Sequence, residues 1–137
     1  ACPAYNPDMS VVRSSTPAMA ASTPPRFQFR LRVYRDAGIA IGPGKIALLE
    51  AILQTGSITA AAQQMNMSYR RAWLLVDELN RALREPAVES AVGGARGGGT
   101  VVTEMGKELI RRYRSIEATA HAAAADDIDA VSRMLAP

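Results

Sequence analysis

The sequence predicts a mainly α fold with a small β-sheet, a winged helix-turn-helix with a long C-terminal helix. Three observations carry that reading. Two helical stretches, about Ile58–Met65 and about Ser68–Leu83, are joined by a turn of only a few residues. In the second stretch Ala72, Val76, Leu79 and Leu83 recur at spacings of four, three and four, so they share one face of a helix. Directly afterwards, Val88–Val92 and Thr100–Thr103 read as two short strands around a flexible glycine loop that holds Arg96, which is the pattern of a wing. A nucleotide-binding phosphate loop fits less well, because the run lacks GxxxxGK[ST] and its glycines join two strands rather than opening a helix.

Residues 1–25 hold Pro3, Pro7, Pro17, Pro24 and Pro25 among Ser and Thr, with no period, and are expected to be a disordered tail. The domain proper is expected over residues 26–125. It opens with RFQFRLRVY, where Phe27, Phe29, Leu31 and Val33 alternate with Gln28, Arg30, Arg32 and Tyr34, the pattern of a half-buried strand with a basic outer face. That face reads as a phosphate-contacting surface or as solubilising edge protection. Asp36, Gly38, Gly42, Pro43 and Gly44 then form a break. A first helix follows from about Lys45 to Thr55, with Ile46, Leu49, Ile52 and Leu53 as its buried stripe.

Gly56 suits the end of that helix, and Ser57 suits the N-cap of the next. Ser68 caps the helix after the turn, whose first residues are Tyr69, Arg70 and Arg71. Basic and hydrogen-bonding side chains at the start of the second helix of such a pair are what a DNA-reading helix presents. The same spacing also fits a plain helix pair with a solvated basic face. After the wing, Thr103 can cap a last long helix, with Glu104 favourable in its first turn. Leu109, Ile110, Tyr113 and Ile116 make its apolar stripe, which serves either a dimer contact or packing on its own domain. Residues 126–137 are expected to be a short tail or a final short helix ending near Leu135.

Composition narrows the function. The 137 residues suffice for one domain, and 48% are hydrophobic, so a real core is possible. The formal charge is +3 with a pI near 9.4, which suits an anionic partner. Of the 16 basic residues only Lys45 and Lys107 are lysines. The arginine fork suits phosphate and guanine edges. Cys2 is the only cysteine and His121 the only histidine, so an internal disulfide is excluded and an ordinary zinc site lacks ligands. No metal, no cofactor and no enzyme activity are expected. With no apolar run of membrane-spanning length, a cytoplasmic protein is expected.

The strings GSITAAAQQMNMSYRRAW, DELN and GGARGGGTVVTEMGKELIRRYR resemble the N-terminal winged-helix domain of the ModE-type molybdate-responsive transcription regulators, over roughly residues 26–120. The GS-x-x-x-AA opening is shared with many helix-turn-helix proteins, including the LysR type; SY-x-x-AW followed by a GG-x-x-GGG wing is far rarer. The resemblance implies a dimeric DNA-binding regulator with the helix Ser68–Leu83 in the major groove, and the residues read here as contacting double-stranded DNA are Ser57, Thr59, Ser68, Tyr69, Arg70, Arg71, Trp73 and Arg96. Trp73 either packs the wing against the helix or contacts a base, and Arg96 would reach a flanking minor groove. Leu109, Ile110, Tyr113 and Ile116 would form the homodimer contact. Full-length members carry further C-terminal domains that bind molybdate. This chain stops at Pro137, so the expectation is a stand-alone form with no small-molecule ligand of its own. The alternative is a winged helix used for protein–protein contact.

Overall fold

The computed structural model describes residues 23–94 and 97–137. Within them the chain runs β1 (Val33–Arg35), β2 (Gly38–Ile41), α1 (Pro43–Thr55), α2 (Ile58–Gln64), α3 (Tyr69–Ala82), β3 (Val88–Gly94), β4 (Gly97–Val102), α4 (Glu104–Ala123) and α5 (Ala125–Met134). The two strand pairs are separate antiparallel hairpins.

Helix α1 is the centre, packed by α2, α3, α4 and β4. It buries Ile46, Leu48, Leu49, Ala51 and Ile52, a band wider than one stripe because it has neighbours on several sides. Leu48 takes the buried place expected of Leu53, which stands exposed. Ala61 and Ala62 of α2 and Ala72 of α3 are small enough to bring their backbones close to α1, and Val76 and Leu79 complete the core. Gly56 ends α1 in the left-handed conformation at φ 71°, its N–H donating to the Ile52 carbonyl. The turn between α2 and α3 is built by Asn66, also left-handed at φ 55°. The Met67 N–H reaches back to the Ala62 carbonyl and the Asn66 N–H to that of Gln63, a Schellman pair that reverses the chain within three residues.

The N-terminal strand is shorter than its alternation predicts. Residues 23–32 pair with no strand among the described residues, and the β1–β2 hairpin turns at Asp36, left-handed at φ 54°, so Gly38 lies in a strand rather than in a break. Residues 29 and 31 instead contact helix α4. The Tyr113 hydroxyl donates to the Leu31 carbonyl at 2.7 Å, and the Phe29 ring meets His121 edge-on at 5.9 Å. Lys45, 9% exposed, ties the hairpin to the helices: its Nζ donates to the Ile39 carbonyl at 2.7 Å and pairs with Glu78 of α3 at 3.2 Å.

The wing strands run further into the glycines than expected. Gly94 pairs with Gly97, with a register irregularity between Ala91 and Gly94. Glycine runs favour no single backbone state, so their side-chain pattern does not reveal a strand, but ladder hydrogen bonds need only the backbone. The last helical stretch divides at Ala124 into α4 and α5, with Asp126 and Asp127 in the first turn of α5. Arg114 of α4 clamps α1 through a two-pronged pair with Glu50, Nε to Oε2 at 2.9 Å and Nη2 to Oε1 at 2.6 Å.

Candidate nucleic-acid interface

Helix α3 starts at Ser68, whose Oγ accepts from the Arg71 N–H at 3.1 Å, leaving the hydroxyl proton free for another partner. Its four faces have different neighbours. Ala72, Val76 and Leu79 face the core. Tyr69, Trp73 and Asn80 face the wing across a groove floored by Ser57, Thr59 and Thr100. Arg71, Leu75 and Glu78 face the β1–β2 hairpin. The 3.6-residue period leaves Arg70, Leu74, Asp77 and Arg81 pointing outward. Leu74 is 52% exposed, and Asp77 and Arg81 pair with each other at 2.9 Å.

The structure thus brings Ser57, Thr59, Tyr69 and Trp73 into one groove, sets Ser68 at the head of α3, and turns Arg70 outward and Arg71 to the opposite flank. Among the described residues neither arginine has an acidic partner. Trp73 is 43% exposed, and its Nε1 donates to the Tyr69 hydroxyl at 2.6 Å, so the two rings hold each other on the groove side. Arg96 lies outside the described residues.

Three features fix the wing in place, one of them directly to α3. Asn80 is a clasp: its Oδ1 accepts the N–H of Ala87 at 2.8 Å and of Val88 at 3.2 Å, and its Nδ2 donates to the Val88 carbonyl at 3.1 Å. Thr103 closes the far side, its hydroxyl donating to the Pro86 carbonyl at 2.7 Å while accepting from the Gly106 N–H that starts α4. Midway, the Thr100 N–H donates to the Gly56 carbonyl at 3.1 Å, tying β4 to the α1–α2 corner. Asn80 and Leu74 are the residues that sequence reasoning passed over. Leu74 carried a signal, an apolar residue off the Ala72–Val76–Leu79 stripe; an asparagine late in a helix carries none.

The long-helix stripe is not the open face its spacing suggests. Leu109 and Ile110 are half-buried against the core, and Tyr113 is 2% exposed. Burial, and after it the neighbouring Glu117 carboxylate, pushes the Tyr113 phenol above its usual pKa. Of the four stripe residues only Ile116 stands exposed.

Residues 44–107 match the bacterial regulatory helix-turn-helix proteins of the lysR family. This stretch is similar to the lysR-type helix-turn-helix domain. The likeness to ModE-type regulators is shown by relatives. The chain is 40% identical over 95 residues to the molybdenum transport protein ModE of Azotobacter vinelandii, covering 69% of this chain and 35% of that protein. It is 45% identical over 86 residues to the molybdenum-pterin-binding protein MopB of Rhodobacter capsulatus, covering 63% of this chain and 32% of that one. It is 41% identical over 71 residues to the DNA-binding transcriptional dual regulator ModE of Escherichia coli K12, covering 52% and 27%. The chain therefore spans about a third of the length of the curated relatives it matches. No described helix is long and apolar enough to cross a membrane.

Proposed function

We propose that this chain is a DNA-binding transcription regulator rather than an enzyme, connected with molybdenum metabolism as the names of its relatives suggest, and working in the cytoplasm where its DNA lies. The observation that carries the reading is the outward face of α3, where Arg70 and Leu74 project between two flanks that hold the helix but do not cover it. In the major groove, Arg70 has the reach for a two-pronged contact to a guanine, and Leu74 suits a thymine methyl. Ser68 donates to a phosphate at the helix N-terminus, and Ser57, Thr59 and Tyr69 line the side where the neighbouring backbone runs. Arg96, from the stretch between the wing strands, is assigned to the flanking minor groove.

The reading includes a homodimer, with Ile116 of α4 and Val131 and Met134 of α5 as the apolar residues left to a second copy. It assigns no small-molecule ligand to this chain. Selection of operator sequences from a random duplex pool, followed by Arg70→Ala, tests the central assignment. The variant should lose about 1–3 kcal/mol on the operator and less on random duplex. Equal binding by variant and wild type on both refutes a base-reading Arg70. Sedimentation of the protein with and without operator tests the dimer, and a monomer in both refutes it.

A further inference from the structure

We infer that Arg30 and Arg32, on the segment leading into the first hairpin, hold a duplex phosphate backbone together with Arg71. The DNA footprint then extends past α3 on the side away from the wing. The inference rests on the DNA-binding reading above and adds a second anchoring flank to it.

The observations are these. A groove of about 540 Å³ lies beside α3, lined by Arg30 and Arg32 on one wall and by Met67, Arg71 and Glu78 on the other. Lys45 also lines it, but its ammonium is paired with Glu78, so those two charges offset each other and the three guanidinium groups set the sign. Among the described residues none of the three arginines has a carboxylate partner; Arg30 has only a 3.3 Å hydrogen bond to the Gln28 amide.

Their placement is imposed by the fold. The Leu31 carbonyl is held by Tyr113, and Phe29 stands against His121. In extended chain alternate residues point opposite ways, and with Phe29 set against α4 it is Arg30 and Arg32 that line the groove beside α3. The Arg32 stem lies over Gly42, at the cap of α1. Among the described residues two contacts to α4, and no ladder partner, hold this segment, and its arginines stand exposed.

An acidic peptide would also be attracted, but the geometry favours a duplex. A helix lying in a major groove about 12 Å wide has a sugar–phosphate backbone on each side. The wing flank of α3 meets one of them. The Arg30–Arg32–Arg71 groove occupies the other flank, 200° around the helix from Tyr69 when counted at 100° per residue from 69 to 71.

The test is the salt dependence of binding to a random-sequence duplex, for the full chain and for the double variant Arg30→Gln, Arg32→Gln. Two lost phosphate contacts should make the slope of log K against log salt shallower by about 1.8, at about 0.9 per phosphate. The loss should be the same on operator and random duplex, and the double lysine variant should restore the slope. An unchanged slope in the glutamine variant overturns the inference, as does a lysine variant that fails to restore it. If the wild-type chain shows no salt-dependent duplex binding, the functional reading falls as well. If the wild type binds, Arg70→Ala weakens it and the glutamine variant behaves as wild type, only this inference falls.

Discussion

Asn80→Ala isolates the clasp between α3 and the wing. The substitution removes the acceptor of two backbone N–H groups, those of Ala87 and Val88. Both residues are buried, at 0% and 6% exposure, so water reaches these donors poorly. An orphaned buried donor costs about 1–3 kcal/mol, and the half-exposed asparagine leaves room for one water to serve in part. The expected loss is about 2–4 kcal/mol, a large share of the roughly 5–15 kcal/mol of an ordinary domain. In urea, followed by helical circular dichroism, the midpoint should fall by about 1–2 M with the slope unchanged. Duplex affinity should fall as well, because the wing loses its fixed angle to α3. A loss under about 0.5 kcal/mol would refute the reasoning, since it would mean that solvent or the Thr103–Pro86 closure holds the wing equally well.

Gly106→Ala should destabilise although alanine is the better helix former. Its Cβ would stand 2.5 Å from the Ala87 carbonyl oxygen and 2.7 Å from Val102 Cγ1, so the start of α4 must move off the wing base. Overpacking of this kind costs about 1–3 kcal/mol against a propensity gain of under about 1, and a melting temperature at or above wild type would contradict it. Tyr113→Phe removes the hydrogen bond to Leu31 and should cost about 1 kcal/mol at neutral pH. The folded phenol is raised above its ordinary value of 10.0, so the folded state holds that proton more tightly than the unfolded chain. Its contribution is fully present below about pH 10 and fades as pH rises towards the folded value, so the wild type should lose stability faster than Tyr113→Phe in melts from pH 9 to 11. Parallel curves would count against that account.

Much of the fold was legible because it rests on short-range signals. The Ala72–Val76–Leu79 stripe, the serine and threonine caps and Gly56 each act within one or two helical turns, and all appear where expected. What was illegible depended on distant partners. Alternation in residues 26–34 predicted a strand, but a strand needs a neighbour to pair with, and residues 29 and 31 meet helix α4 instead. The spacing of Leu109, Ile110 and Tyr113 fitted a second copy or packing on their own domain alike; the core takes up the first two, and Tyr113 is buried and bonded to Leu31. The residues proposed to face DNA sit together in sequence, but their division among faces was not legible: Tyr69, Arg70 and Arg71 are consecutive and meet three different surroundings.

The position of Lys45 has a consequence for chemical control. The chain has two lysines; one is locked beneath Glu78 and the other, Lys107, sits on α4 paired with Glu104. Every side-chain cation assigned to DNA is an arginine. Acetylation, the common way of silencing a basic surface, therefore finds no substrate on this one. An amine-reactive dye placed on Lys107 would sit in the first turn of α4, on a residue not assigned to DNA.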